Sequence, residues 1–251
     1  GAALTPLLLA EIGDARIILL CSGLAAGAAL LLAPLVDRAH ARAVVVMSAL
    51  LLLASAAGLL FPPDALQIEP SPYKALAFYQ RNPDATLEAP RTNAYSRLDI
   101  VHSDTIHSAP GLSMAYLSAP PPEIGLLIDG DNLLPVLQDA ATPTAFAEAM
   151  PASIALALRD QPEMLVLGAG GGMDVWIARA LGAASVVAVE PNSLVTDALR
   201  HDLRAWSGLA DDPRITLEHA EVRTYARNTG RRFDIVQLAL TDAYRPVTSG
   251  A

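Results

Sequence analysis

The sequence predicts an α/β fold in which a parallel sheet covered by helices follows a small antiparallel β domain and two transmembrane helices. Three observations predict it. Two uncharged apolar stretches come first, at 17–36 and 43–61. Short segments broken by Pro, Gly, Asn and Asp follow, and from Glu163 onward apolar strands alternate with amphipathic helices. We expect the membrane helices within 1–64, the β domain at 65–142 and the parallel sheet at 143–251.

The bulk composition excludes several classes of function. The chain has 251 residues, of which 53% are hydrophobic and only 17% charged, which is more apolar than an ordinary soluble domain. A net charge of −9 argues against a nucleic-acid partner, because phosphate binding needs a basic face. Cys21 is the only cysteine, which excludes an internal disulfide and a cysteine-based metal cluster.

Each apolar stretch has the length, about 20 residues, that a helix needs to cross the hydrocarbon core of a bilayer. The polar loop between them, 37–42, is short, so the pair predicts a helical hairpin in the membrane. The alternative is a buried helical hairpin in a soluble protein.

Short alternating segments after the membrane helices predict a small antiparallel β unit. A helix follows, and Pro151 must begin or kink it. The predicted strands are 76–79, 98–102, 113–117 and 125–128, and the predicted helix is 144–159.

The C-terminal part has the alternating rhythm of a parallel sheet with helices on both faces. The predicted strands are 164–167, 185–189, 215–218 and 233–240, and the predicted helices are 174–181, 194–206 and 222–228. A full domain of this kind has more than four strands. We therefore expect the sheet to be incomplete at its C-terminus and the chain to be a fragment of a longer protein.

A glycine-rich turn, 168–172, follows the first strand of the parallel sheet and precedes a helix. Gly168 can take the tight turn, and Gly170 and Gly172 remove side chains where a ligand approaches the backbone. The helix N-terminus offers N–H groups and the positive end of a dipole. This order of strand, turn and helix predicts a nucleotide-binding site.

Two carboxylates follow the next strands. Glu190 ends the second strand, where it can accept hydrogen bonds from both hydroxyls of a ribose. Glu221 follows the third strand, where it could reach an adenine edge or cap the next helix. A dinucleotide site usually has G-x-G-x-x-G/A, and Met173 occupies the third position here. The pattern favours S-adenosylmethionine or its decarboxylated form over a dinucleotide.

From residue 71 onward the chain resembles the polyamine synthases, or spermidine synthase-like proteins, and specifically their membrane-anchored bacterial members. That family places a small β domain before a Rossmann-like domain of the class I S-adenosylmethionine-dependent methyltransferase type, which is the order predicted here. The matching features are the glycine loop, Val189-Glu190, Asp212-Pro213-Arg214, Ser71-Pro72-Tyr73, Ile128-Asp129-Gly130 and Phe233-Asp234-Ile235-Val236.

The resemblance implies aminopropyl transfer from decarboxylated S-adenosylmethionine to a polyamine. Under it, Glu190 holds the ribose and Glu221 lies on the adenine side, while Asp242 matches the second acidic residue of the family's catalytic loop. The bound species are therefore expected to be a small-molecule nucleoside and a polyamine.

Three positions depart from the family pattern. Gly171 replaces an Asp of the glycine loop, Lys74 replaces a Gln, and Ala239 replaces the catalytic Asp that serves as the base. Loss of a general base lowers a rate by about 10²–10⁴-fold. The acids that could substitute for it are Asp174, Asp129 and Asp131.

Two other functions stay open beside the transferase. One is an S-adenosylmethionine-dependent methyltransferase on the same fold, for which Ala239 is no objection. The other is a non-catalytic, membrane-tethered nucleotide-binding protein. No metal is expected, because His102 and His107 lack the spacing of a metal site. A homo-oligomer remains open.

The side of the membrane on which the soluble part lies is predicted by two opposing signals. Arg38 and Arg42 favour a cytoplasmic loop between the two spans, which would place the soluble part outside. The nucleotide pool lies in the cytosol, which favours the opposite orientation. We expect a multi-pass protein of the bacterial inner membrane with its soluble part on the cytoplasmic side.

Overall fold

A computed structural model describes residues 12–63, 66 and 71–238. Contacts divide the described residues into two units. One comprises those up to residue 69 together with 91–95, and the other comprises 70–90 and those from 96 onward. The predicted boundaries at 64/65 and 142/143 stay predictions.

The first unit is a helical hairpin, formed by helix α1 (Asp14–Leu32) and helix α2 (Arg38–Leu60). A 3₁₀ turn (Ala33–Leu35) follows α1. Small residues let the two helices approach, because a Cβ on Gly23 would lie only 3.4 Å from the Cβ of Ser55. Both helices are long and apolar enough to cross a membrane.

The second unit begins with a short helix and an antiparallel sheet. The helix, α3, is Ala75–Tyr79. The strands of the sheet are β1 (Thr86–Leu87), β3 (Arg97–His102), β4 (Glu123–Ile128) and β5 (Asn132–Leu137), in the order β1-β3-β4-β5. The two-residue strand β2 (Arg91–Thr92) falls in the first unit.

Half of the strand predictions for this sheet are confirmed. Segments 98–102 and 125–128 are strands β3 and β4, whereas 76–79 is helix α3 and 113–117 forms turns. Helix α3 replaces the predicted strand because the N–H of Leu76 donates to the carbonyl of Gly130, which docks it on a turn. The sequence does not predict strand β5, because Pro135 argues against a strand. Proline is tolerated here because β5 lies at the edge of the sheet.

Pro151 interrupts the helix predicted at 144–159. The structure has two short helices there, α4 (Thr144–Glu148) and α5 (Ser153–Leu156). Proline lacks the N–H that would continue the helix from the preceding turn, so the chain bends between them.

The C-terminal part folds into parallel strands with intervening helices, as predicted. The helix predicted at 194–206 is divided into three segments, and residues 239–240 of the last predicted strand lie outside the described residues. The strands are β6 (Glu163–Leu167), β7 (Ser185–Glu190), β8 (Ile215–His219) and β9 (Ile235–Leu238). The helices are α6 (Met173–Ala180), α7 (Ser193–Asp197), α8 (Arg204–Ser207) and α9 (Val222–Asn228), with a π-helical turn (Ala198–Asp202) between α7 and α8.

The order of the parallel strands is β8-β7-β6-β9. Strands β7 and β8 are therefore added on one side of β6, and the last strand, β9, is added on its other side. The point of reversal lies between the carboxyl ends of β6 and β9. In open parallel sheets, ligands bind in the crevice that forms at such a reversal.

One hydrophobic cluster joins the antiparallel sheet to the helices that follow β7. Leu98 and Ile100 of β3 pack with Val195 of α7 and with Leu199 of the π-helical turn, and all four are buried. Burial of a side chain of this size stabilises a fold by about 1.5–3 kcal/mol. This cluster fixes the antiparallel sheet relative to the glycine loop, which follows β6.

Candidate functional site

The glycine loop lies at the carboxyl end of β6, beside the reversal of strand order. Gly168, Gly170 and Gly172 have φ angles of 74°, 52° and 84°, a left-handed region that glycine enters without strain. The N–H groups of Gly168 and Ala169 both donate to the carbonyl of Val189, at 2.9 and 3.1 Å. These bonds bend the loop back over the end of β7.

Glu190 ends β7 and directs its carboxylate at the glycine loop. One carboxylate oxygen, Oε2, accepts a hydrogen bond from the N–H of Gly170 at 2.9 Å. The other, Oε1, accepts from the N–H of Asn192 at 2.9 Å. The residue is 8% exposed. These two hydrogen bonds from backbone N–H groups fix the direction of the carboxylate at the glycine loop.

Asn192 is a positioning residue that sequence reasoning missed. Its Nδ2 donates to Ser96 Oγ at 2.8 Å, and its Oδ1 accepts from the N–H of Leu194 at 3.2 Å. The side chain therefore caps α7 while its own N–H holds Glu190. The available signal was an Asn just before a helix, which is typical of an N-cap.

Most N–H groups of the glycine loop already have acceptors within the protein. Those of Gly168, Ala169, Gly170 and Gly172 are bonded, which is four of the loop's five. A phosphate cradle needs such groups pointing at the ligand. The loop therefore suits a ligand that meets the Glu190 carboxylate rather than a pyrophosphate.

Packing within the protein leaves no room for a side chain at two of the glycines. A Cβ on Gly171 would lie 2.1 Å from the carbonyl oxygen of Pro135, and one on Gly172 would lie 2.4 Å from Leu209 Cδ1. The prediction that Gly172 makes room for a ligand stays untested. The family's Asp at position 171 has no space in this chain.

A cavity of about 240 Å³ lies beside the glycine loop, where β6 and β9 end. Asp174 and Gln237 are the polar side chains in its wall. Burial raises the pKa of the Asp174 carboxyl, and a hydrogen bond with Gln237 opposes that rise. The other lining residues are Pro110, Met150, Pro151, Ala152, Ala155, Ala169, Met173 and Leu238.

Glu221 serves as the N-cap of α9. Its Oε1 accepts from the N–H of Arg223 at 3.0 Å and its Oε2 from the N–H of Thr224 at 2.7 Å. These hydrogen bonds lower the pKa of its carboxyl. The contact with an adenine stays a prediction.

Lys74 and the two acids near it hold a turn together. Lys74 Nζ donates to the carbonyl of Asp129 at 2.6 Å, Asp129 Oδ1 accepts from the N–H of Arg97 at 2.9 Å, and Asp131 Oδ1 accepts from the N–H of Ala75 at 3.4 Å. None of the three lines the cavity at the end of β6. Of the candidate replacement bases, only Asp174 does.

Two further residues from the sequence analysis, Ala239 and Asp242, lie outside the described residues. Among residues 12–63, 66 and 71–238, no group of three or more His, Cys, Asp or Glu side chains is arranged to hold a metal ion. His102 Nε2 instead lies 3.0 Å from Glu88 Oε1.

No protein-family model matches the sequence, and no curated protein does. Among solved structures, the chain is similar to a spermidine synthase in complex with the transition state analogue AdoDATO, with 18% identity and a TM-score of 0.43 over 61% of this chain and 47% of that one. It is also similar to the spermidine synthase from Thermotoga maritima, with 20% identity and a TM-score of 0.44 over 62% of this chain and 47% of that one. The chain thus spans about half the length of these two proteins.

Proposed function

We propose that the protein binds S-adenosylmethionine or its decarboxylated form at the glycine loop and acts as a spermidine synthase-like transferase. The observation that carries the proposal is the Glu190 carboxylate, held against the N–H of Gly170 at the reversal of strand order. A buried carboxylate in this place is an acceptor for both ribose hydroxyls of an adenosine.

The loop favours a nucleoside without phosphate. Four of its five N–H groups have protein acceptors, so few remain for a pyrophosphate. A sulfonium nucleoside carries a positive charge and no phosphate. The carboxyl groups of Glu190 and Asp174 near the loop are compatible with that charge.

Aminopropyl transfer is the reaction that the resemblance implies. The nitrogen of an acceptor amine attacks the carbon next to the sulfonium and forms a C–N bond. The C–S bond breaks, its electron pair stays on sulfur, and the amine loses a proton to a base. Asp174 is the base that the cavity offers, since the burial that raises the pKa of its carboxyl brings it toward the range a general base needs.

Methyl transfer is the alternative. The cavity wall is mostly apolar, with Asp174 and Gln237 as its polar side chains. Residue 239, where the family has its base, is Ala. Comparing the affinities for the two forms of the nucleotide separates the reactions. Tighter binding of the decarboxylated form supports aminopropyl transfer, and equal or weaker binding supports methyl transfer.

Replacing Glu190 by Gln tests the nucleoside site. We expect the affinity for S-adenosyl nucleotides, measured calorimetrically on the full chain in detergent, to fall about 10- to 100-fold, since hydrogen bonds to a charged group contribute about 1.5–3 kcal/mol. The exposed Glu148→Gln makes the same chemical change on α4 and should leave the affinity unaltered. Unchanged affinity in folded Glu190→Gln would remove the proposal.

We further propose that α1 and α2 anchor the protein in the bacterial inner membrane. Large aliphatic side chains such as Leu31 and Leu53 are 83% and 67% exposed within the described structure, and a bilayer would cover them. The full chain should stay in the membrane pellet after an alkaline carbonate wash and dissolve only in detergent. The soluble part should resist protease added to intact spheroplasts. Release by carbonate would contradict the anchor, and cleavage outside would contradict the cytoplasmic placement.

A further inference from the structure

A second cavity, of about 430 Å³, lies where β3 ends and β4 begins. Its wall includes Glu123, His102, His107 and Trp206. It shares no lining residue with the cavity beside the glycine loop. Its volume falls within the range of small-molecule sites, about 300–1,000 Å³.

Glu123, which lines this cavity, carries a carboxylate oxygen without a hydrogen-bond partner. The residue is 4% exposed, and its Oε2 accepts from the N–H of Ser108 at 2.7 Å. Its Oε1 is buried and has no hydrogen-bond partner among the described residues. A buried polar atom left in this state is costly, and in native structures it usually marks a missing partner.

The surroundings restrict what that partner can be. The negative charge of the Glu123 carboxylate excludes an anionic ligand. Among the described residues, no group of three His, Cys, Asp or Glu side chains is arranged to hold a metal ion. The ring of Trp206 is held in place because its Nε1 donates to the carbonyl of Val136 at 3.0 Å. Trp206, Pro120 and Ile124 give the cavity apolar walls. An N–H donor that carries a positive charge and an apolar body fits this combination.

We propose that this cavity is a second ligand site, which takes a small organic ammonium ion whose N–H donates to Glu123 Oε1. The alkyl part of the ligand packs on Trp206 and Pro120. The site is independent of the nucleotide site, because it uses none of the residues that surround the glycine loop.

The titratable groups around Glu123 come from three elements. Tyr79 lies on α3, His102 on β3, and Asp104 and His107 in the loop after β3. Burial raises the pKa of the Glu123 carboxyl to about 7. Burial, and after it the nearby Glu123 carboxylate, raise the pKa of Tyr79. The ammonium ion binds the ionised carboxylate, so its affinity should grow as the pH passes through 7.

Equilibrium dialysis of butylammonium against the full chain in detergent tests the proposal. Because Glu123 ionises with a pKa of about 7, binding should tighten about tenfold from pH 6 to pH 8. Tetramethylammonium has the same charge but no N–H, and should bind at least about tenfold more weakly. Saturable binding of both ions with equal affinity would overturn the proposal. The absence of saturable butylammonium binding at pH 8 would overturn it as well.

Glu123→Gln should lower the affinity for butylammonium at least about tenfold and abolish its pH dependence. The exposed Glu148→Gln is the matched control and should bind as the unaltered chain does. A pH effect that persists in Glu123→Gln refutes the assignment to Glu123. Glu190→Gln should bind butylammonium normally, which separates failure here from failure at the nucleotide site.

If Glu123→Gln does not fold, judged by circular dichroism, the wild-type chain still decides. Butylammonium must then still bind at least about tenfold more tightly than tetramethylammonium at pH 8. Its binding must also persist in the presence of saturating S-adenosylmethionine. Competition between the two ligands would place the ammonium ion in the cavity beside the glycine loop and overturn the proposal.

Discussion

Replacing Asp174 by Asn is expected to lower the turnover of decarboxylated S-adenosylmethionine with putrescine by about 10²–10⁴-fold, the usual contribution of a general base. Asp174 is the acid that the described structure places in the wall of the cavity beside the glycine loop. Nucleotide affinity should stay within about threefold of the unaltered chain, because Glu190 and Gly170 are untouched.

The pH dependence of turnover gives an independent readout. Burial raises the pKa of the Asp174 carboxyl, so the base becomes protonated, and turnover falls, at a higher pH than an exposed Asp would require. The hydrogen bond from Gln237 holds that pKa down. Gln237→Leu should therefore move the acid limb of the rate profile to higher pH, an effect that a merely structural role of Gln237 would not produce.

Asp160→Asn is the matched control, since Asp160 is exposed and lies away from the cavity wall. It should retain full turnover at every pH. Equal turnover of Asp174→Asn and the unaltered chain would show that another group accepts the proton. Under the resemblance, the next candidate is Asp242, which lies outside the described residues.

The parallel half of the fold is predictable because its signals are local. The strands near 163–167 and 185–190 are short apolar runs, and glycine turns and helix-forming segments separate them. The position of Glu190 is predictable for the same reason, because Glu190 ends the strand that follows the glycine loop and its helix. These features survive in the sequence because each depends on neighbours within a few residues.

The antiparallel half is harder because its elements depend on distant partners. Helix α3 is only five residues long, and contacts with the turn at 129–131 hold it. The roles of Asn192 and Glu123 depend on Ser96 and Ser108, which lie 96 and 15 residues away along the chain. No periodic pattern encodes such pairs. The sequence therefore predicts the glycine loop and the strand ends better than it predicts the side chains that surround them.

Lys74 illustrates the same limit. The resemblance places a Gln of the substrate site at this position, where a cation would repel a polyamine. In the structure the ammonium group instead donates to the carbonyl of Asp129, 55 residues away. Lys74 is not among the residues that line the cavity beside the glycine loop.

Restoring the family's acid in the glycine loop should destabilise the fold rather than improve catalysis. In Gly171→Asp, the Cβ would lie 2.1 Å from the carbonyl oxygen of Pro135, well inside contact distance. That oxygen belongs to the backbone of β5 and cannot rotate away as a side chain could. We expect a loss of at least about 3 kcal/mol in the free energy of unfolding, from overpacking together with a carboxylate placed against a carbonyl.

Gly182→Ala is the informative comparison in the same denaturant titration. Gly182 has a φ of 86° and open space around its Cβ position, so only backbone strain opposes the substitution there, at about 1–2 kcal/mol. Gly171→Asp should be the more damaging change, and Gly171→Ala should share most of its cost because the clash begins at Cβ. A folded Gly171→Asp of normal stability would mean that β5 can withdraw from the loop. In that event the structure would not explain why this chain has Gly171 where the family has an Asp. If the clash holds, the close contact between β5 and the glycine loop leaves no room for the family's loop acid. Asp174 is then the acid that the described structure places in the wall of the cavity beside that loop.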